Sequence, residues 1–271
     1  MKRNLTYICF IDLLFILLLS FSGFFAEPLS SLLYYASFLM PLLVFFLLLR
    51  NRKCDYQRIR VTISWENLKL TAPIVMPTVA LVFFVSYLTS SILGKFFDAP
   101  FVDVSGNLFK VIILHALMPA LFEEALFRYV PLTLMSSYSK RGAILVSATL
   151  FALIHCNLFQ IPYAFFAGVV LASVYVAFNS IIPSFMIHFL NNVLSVLFMR
   201  YGASRWFVLW FLISLSIVTA ASVVFMVLRK AKYVEKFKPL LSKDGESVKP
   251  TADILVLIII TLIISVTNLF Y

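Results

Sequence analysis

Long unbroken runs of apolar residues, separated by short polar clusters, dominate this 271-residue chain. A hydrocarbon core about 30 Å thick takes roughly 20 mostly apolar residues in a helix, and up to nine runs approach that length. They lie near 6–26, 32–49, 73–93, 108–128, 142–159, 162–179, 182–199, 206–228 and 252–270. Only a few residues separate the fifth run from the sixth, at Gln160 to Pro162, and the sixth from the seventh, at Asn179 to Pro183. Tight turns or broken helices fit those two places as well as complete spans do. The pattern predicts an all-α fold, a polytopic integral membrane helical bundle of eight to nine transmembrane helices.

Composition removes the soluble alternative. Hydrophobic residues make up 62% of the chain and charged residues 13%, with mean hydropathy +1.02. Soluble domains are about half apolar and about a quarter charged. The 22 Lys and Arg outnumber the 12 Asp and Glu, but they form no single basic face on a water-soluble fold, so the lipid bilayer is the expected partner and nucleic acid is not. Cys9, Cys54 and Cys156 are scattered without metal-type spacing, which excludes a disulfide framework and a zinc knuckle.

The loops set an orientation, because cytoplasmic connections retain Lys and Arg. With the N-terminus cytoplasmic, one side collects Lys2, Arg3, Arg50, Arg52, Lys53, Arg58, Arg60, Lys69, Lys140, Arg141 and the stretch from Arg229 to Lys249, while the other side holds Lys95, Lys110, Arg200 and Arg205. Residues 61–72, with Trp65, Glu66 and Lys69, are expected along the membrane interface. The first run contains Asp12 and lacks a small-x-small cleavage site, so it reads as a retained span. Three regions result: N-terminal helices over 1–107 with a basic cytoplasmic loop at 50–72, a chemistry-bearing core over 108–200, and C-terminal helices over 201–271 with a basic loop at 229–250.

An ionisable side chain at the centre of a membrane helix costs roughly 3 kcal/mol on insertion scales and is by default a functional candidate. The run VIILHALMPALFEEALFRYVP carries Glu123, Glu124 and Arg128 in a helix expected to stop at Pro131. Neighbouring helical residues diverge by about 100°, so Glu124 is paired with Arg128 one turn on and Glu123 is left to face elsewhere. The run ATLFALIHCNLF puts Phe151 and His155 on one face, and IIPSFMIHFLNNV does the same for His188 and Asn192. Taken singly, each of these is equally well a packing pair: an ion pair that specifies helix contact, a satisfied histidine, an interhelical hydrogen bond. His115 is read as a hydrogen-bonded packing residue, and the spacing of Ala164, Gly168 and Ala172 as a close helix contact.

Together, Glu-Glu-x-x-x-Arg, Phe-x-x-x-His and His-x-x-x-Asn, in that order on three spans, resemble the CPBP family of CAAX prenyl endoproteases and Abi-type bacteriocin-processing proteins. The resemblance covers about 110–200. It implies an intramembrane endopeptidase with Glu123, His155, His188 and Asn192 as catalytic residues and Glu124, Arg128 and Phe151 in support. In that scheme Glu123 activates water and later returns the proton, His155 holds the same water, and His188 and Asn192 donate to the oxyanion. Two alternatives stay open: Zn²⁺ held by Glu123, His155 and His188 with a water in the fourth position, or a metal-free glutamate mechanism. The partner implied is a peptide or membrane-tethered protein substrate, prenylated or not, admitted through a cavity on the cytoplasmic side. A multi-pass protein of the bacterial plasma membrane is expected. Competing readings are a bacteriocin-immunity or signalling scaffold that binds without cutting, and a transporter using the acids and histidines as a proton relay. No matching pair of broken helices favours the transporter.

Overall fold

The computed structural model describes residues 2–22, 25–26, 29–50, 63–98, 102–241, 245, 247–248 and 251–269. Arg52, Lys53, Cys54, Arg58, Arg60 and Lys249 lie outside the described residues, as do 61 and 62 of the expected interfacial stretch. Among the described residues the fold is all-helical. Ten helices follow one another: α1 (Lys2–Ser22), α2 (Leu29–Arg50), α3 (Trp65–Leu93), α4 (108–134), α5 (Lys140–Leu153), α6 (Ile161–Phe178), α7 (Ile181–Tyr201), α8 (Arg205–Leu228), α9 (Lys230–Phe237) and α10 (Ala252–Thr267). Four of them, α3, α6, α7 and α8, are long and apolar enough to cross a membrane, and shorter apolar stretches occupy Thr6–Ser22, Leu32–Leu48 and Ala252–Thr267.

Polar residues mark the helix starts. Ser64, Asn107, Ser139, Ser180 and Ser204 each accept a backbone N–H two or three residues on, meeting donors that the first turn leaves unpaired. Asn179 turns the chain with a left-handed φ of 46°, which asparagine tolerates better than a branched residue would, so α6 and α7 are separate helices with one tight corner between them. From Trp65 onward the stretch expected along the membrane interface forms the first two turns of α3, capped by Ser64.

α4 carries the acidic pair and is not a uniform α-helix. Two π-helical turns, Ile113–Leu117 and Ala125–Tyr129, interrupt it, and each ends two residues before a proline, Pro119 or Pro131. Proline lacks an N–H and its ring crowds the carbonyl four residues back; a widened turn at that point relieves the clash. For the same reason the helix continues through Pro131 to Leu134, where the sequence pattern predicts a stop.

The bundle has two main apolar centres. In one, α1 and α2 pack with α4, α5 and α10 around Ile8, Phe15, Phe45 and Phe127. In the other, α3, α6, α7 and α8 meet at Val75, Val79, Leu171 and Ile187. The small-residue stripe Ala164, Gly168 and Ala172 is buried, and Gly168 lies against α5: a Cβ there would stand 2.9 Å from the Ala148 Cα. Since backbone cannot yield as a flexible side chain does, Gly168→Ala is expected to lower stability by about 1–3 kcal/mol. Thermal unfolding in detergent checks this; an unchanged midpoint would mean that α5 and α6 separate freely.

Candidate active site

Glu123 and Glu124 stand at the end of the α-helical segment Met118–Glu124, and Arg128 lies in the π turn that follows. Glu124 and Arg128 are completely buried and form an ion pair, Nη2 to Oε1 3.4 Å. From α7, His188 reaches between the two acids. Its Nδ1 is 3.0 Å from Oε1 of Glu124 and its Nε2 is 3.6 Å from Oε2 of Glu123. The expectation that the two carboxylates serve separate partners is therefore corrected: the nitrogens of an imidazole sit on opposite edges of the ring, so one ring spans two diverging side chains. Glu124, facing a guanidinium, is an acceptor, and His188 Nδ1–H donates to it. That assignment, made from the surrounding hydrogen bonds, turns Nε2 toward Glu123.

Phe151 holds the arrangement together. The Arg128 guanidinium carbon lies 4.2 Å from the Phe151 ring centroid, and the rings of His155 and His188 stand edge-on to it at 5.2 and 5.5 Å. One buried aromatic side chain thus separates a cation from two imidazoles while touching all three. His155 lies beside Phe151, as the spacing predicts, but just past the end of the helix. α5 ends at Leu153, and His155 lies in the turn that leads to Cys156, whose φ is 45°. Its Nδ1–H donates 2.9 Å to the Phe151 carbonyl, one of the groups the helix end leaves without an internal partner. Nε2 is left as the acceptor edge.

Counted at 1.5 Å per residue, the sequence puts Glu123 about 12 Å before the stop expected at Pro131 and His155 about 21 Å beyond Arg141, and the longer α4 narrows that difference. α4 extends to Leu134, so Glu123 lies about 16 Å from its end at a 1.5 Å rise. The Ser147 hydroxyl donates to the Phe127 carbonyl, fixing α5 against α4 one turn from the site.

Glu123, Phe151, His155, His188 and Asn192 all line one cavity of about 1140 Å³. Asn191 lines it too and donates through Nδ2 to Asn192 Oδ1 at 3.4 Å, leaving the Asn192 amide N–H₂ to serve as donor. Tyr163 and Gln160 belong to the lining and carry no motif in the sequence; nothing but proximity after folding reveals them. His115, expected to be a packing residue, is exposed and lines the cavity. The hydroxyls of Ser86, Ser90, Ser195 and Ser216 lie farther along the walls. A spacing of four between Ser86 and Ser90 is the signal that could have found the first two.

The lining takes α3 from Thr78 to Ser90, α4 from His115 to Glu123, α6 from Tyr163 to Leu171, α7 from Ile187 to Met199 and α8 from Val208 to Ala220. Glu123, His155 and His188 do not form a ready metal site. Among the described residues no group of three His, Cys, Asp or Glu side chains is close enough to hold an ion, and both His188 nitrogens face carboxylates.

No curated protein and no solved structure matches the chain. Residues 105–194, however, match the family model described as type II CAAX prenyl endopeptidase Rce1-like. That stretch runs from just before α4 into α7 and contains Glu123, Glu124, Arg128, Phe151, His155, His188 and Asn192, so the segment that builds the acidic and imidazole wall of the cavity is the one similar to this family, as the three motifs are.

Proposed function

We propose that the protein is an intramembrane endopeptidase that hydrolyses a peptide bond in a peptide or membrane-tethered substrate with Glu123 as general base. One observation carries this reading: Glu123 faces His188 Nε2 at 3.6 Å in the same cavity as His155 and Asn192, while Glu124 is occupied by Arg128 and His188. Only one of the two neighbouring acids is left for chemistry.

Amide hydrolysis needs a deprotonated water, a donor to the oxyanion and a proton for the leaving amine. Glu123 takes the proton of a water held against His155 Nε2. The hydroxide adds to the carbonyl carbon, and the oxyanion is met by the Asn192 amide N–H₂. Glu123 then delivers its proton to the nitrogen as the C–N bond breaks. Glu124 fixes the His188 tautomer through Nδ1, and Arg128 keeps Glu124 ionised. Since the candidate ligands do not gather around a common point, no step is routed through a metal, and metal analysis of the purified protein with chelator treatment separates the two chemistries.

The wider reading places eight or nine spans in a bacterial plasma membrane with the N-terminus cytoplasmic, the orientation that the basic clusters favour. Hydrolysis is tested directly in ¹⁸O-labelled water with an apolar peptide precursor and a prenylated peptide as substrates. One ¹⁸O is expected in the new C-terminal carboxylate. Binding of either peptide without any new terminus would instead favour the immunity or scaffold reading.

A further inference from the structure

We propose that α9 and the helix ends it touches form a docking surface for the phosphate headgroups of anionic phospholipids, whichever leaflet they occupy and whatever the cavity cuts.

α9 sits where lipid meets water. α8, one of the four helices long and apolar enough to cross a membrane, ends at Leu228, and α9 begins two residues later at Lys230. The inner side of α9 is pinned to two more of the four. Lys232 Nζ is 3.0 Å from Glu66 Oε1 and Lys236 Nζ 3.1 Å from Asn67 Oδ1, both acceptors lying in the first turn of α3, and Tyr233 donates 2.8 Å to the Leu70 carbonyl. Phe237 stands edge-on to Phe178, the last residue of α6, with ring centroids 6.2 Å apart. A helix that touches the ends of three such segments lies at the depth of the headgroups.

Positive charge is left over once those contacts are made. Residues 229–241 hold five basic residues against one acid, Glu235, and the stretch 242–250 adds two of each sign. Lys232 and Lys236 are the two that hold the helix down. Arg229, Lys230 and Lys238 are exposed and form no ion pair among the described residues. Lys69 and Arg141 are exposed on the neighbouring helix starts, and Arg141 is fixed beside the turn after α9 by a 2.9 Å bond from its Nε to the Leu240 carbonyl.

The apolar side chains among these charges decide the kind of anion. Trp65 is 78% exposed, and Leu228, Val234 and Leu241 are each more than half exposed. A free phosphate or a nucleic acid would leave them in water, whereas a lipid covers them with the upper part of its acyl chains. An indole is favoured at that level because its ring meets hydrocarbon and its N–H meets water. Lysine suits the same place, its four-carbon stem lying along apolar surface while the ammonium reaches a phosphate. A zwitterionic lipid, whose own ammonium offsets its phosphate, gains less from unpaired cations than a lipid with net negative charge.

The test reads tryptophan fluorescence of the full chain in phosphatidylcholine vesicles that carry brominated phosphatidylglycerol or brominated phosphatidylcholine in both leaflets, since bromine quenches an indole it touches. One form keeps Trp65 alone (Trp206→Phe, Trp210→Phe) and another keeps Trp210 alone, near the opposite end of α8 (Trp65→Phe, Trp206→Phe). Phosphatidylglycerol is expected to bind at Trp65 about fivefold or more tightly than phosphatidylcholine, the effect of roughly one cation at a membrane surface, and about equally at Trp210. Arg229→Gln, Lys230→Gln and Lys238→Gln together are expected to abolish the preference at Trp65, and Lys95→Gln with Lys110→Gln to leave it intact. About 0.5 M salt is expected to erase it without any change in the patch. A preference absent from the start, one that survives the triple variant or the salt, or one lost equally with Lys95→Gln and Lys110→Gln overturns the proposal. Loss of the preference on adding millimolar inorganic phosphate at constant ionic strength would assign the surface to free phosphate and overturn the lipid as its occupant. None of these readouts involves turnover.

Discussion

Glu123→Gln is expected to reduce peptide hydrolysis by about 10²–10⁴-fold while leaving the thermal unfolding midpoint unchanged. The amide has the size of the carboxylate and keeps the approach to His188, now 3.6 Å from Nε2 to Oε2, but it cannot take a proton from water. The Glu123 side chain retains 14% exposure and lines the cavity, so exchanging its charge disturbs little packing. Product formation by mass spectrometry, measured with melting on the same preparation, gives both quantities. Processing at the parental rate would remove Glu123 from the chemistry; a fall in both rate and stability would assign it to structure.

Arg128→Met is expected to do the reverse, destabilising the fold by about 3–5 kcal/mol, because it strands the fully buried Glu124 carboxylate without its guanidinium partner. Arg128 and Glu124 are both 0% exposed, and the guanidinium also covers the face of Phe151. The sign of the double variant carries the argument. Glu124→Gln combined with Arg128→Met removes both charges and is expected to recover more than half of the loss, since neutral groups in the same volume leave no uncompensated charge. Additive losses would show that Arg128 acts by packing on Phe151 instead of by neutralising Glu124. Unfolding in detergent for the two singles and the double completes the cycle.

Much of this site was readable before folding, and the reasons differ by residue. Glu123, Glu124, Arg128, His155, His188 and Asn192 are conspicuous because ionisable and amide groups are expensive among apolar neighbours. The helices α3, α6, α7 and α8 follow from run length and fall close to their expected bounds, with α3 extended at its start. What pairwise spacing missed was the third dimension. An i,i+4 rule pairs Glu124 with Arg128 correctly, but it carries no information on a ring arriving from α7, 64 residues on, to touch both acids. Helical periodicity assumes that a helix continues, and so it placed His155 on α5 one turn beyond Phe151, although the chain leaves the helix at Ile154. Pro131 was read as a terminator because proline usually is one; the π turn before it supplies the room that makes it an interior residue.

The i,i+4 relation of Glu124 to Arg128 also has a consequence for how the chain is made. Both members lie on α4, so the helix emerging from the ribosome brings its own counterion and enters lipid with that pair already neutralised. His188 follows only after α5 and α6 have been synthesised. Insertion and assembly are thus separable stages: α4 reaches the bilayer with Glu124 already compensated, and the polar pocket closes later, when α7 brings His188 to Glu123. Had the cation been placed on α7, the translation machinery would have had to release a helix with two unmatched carboxylates instead of one.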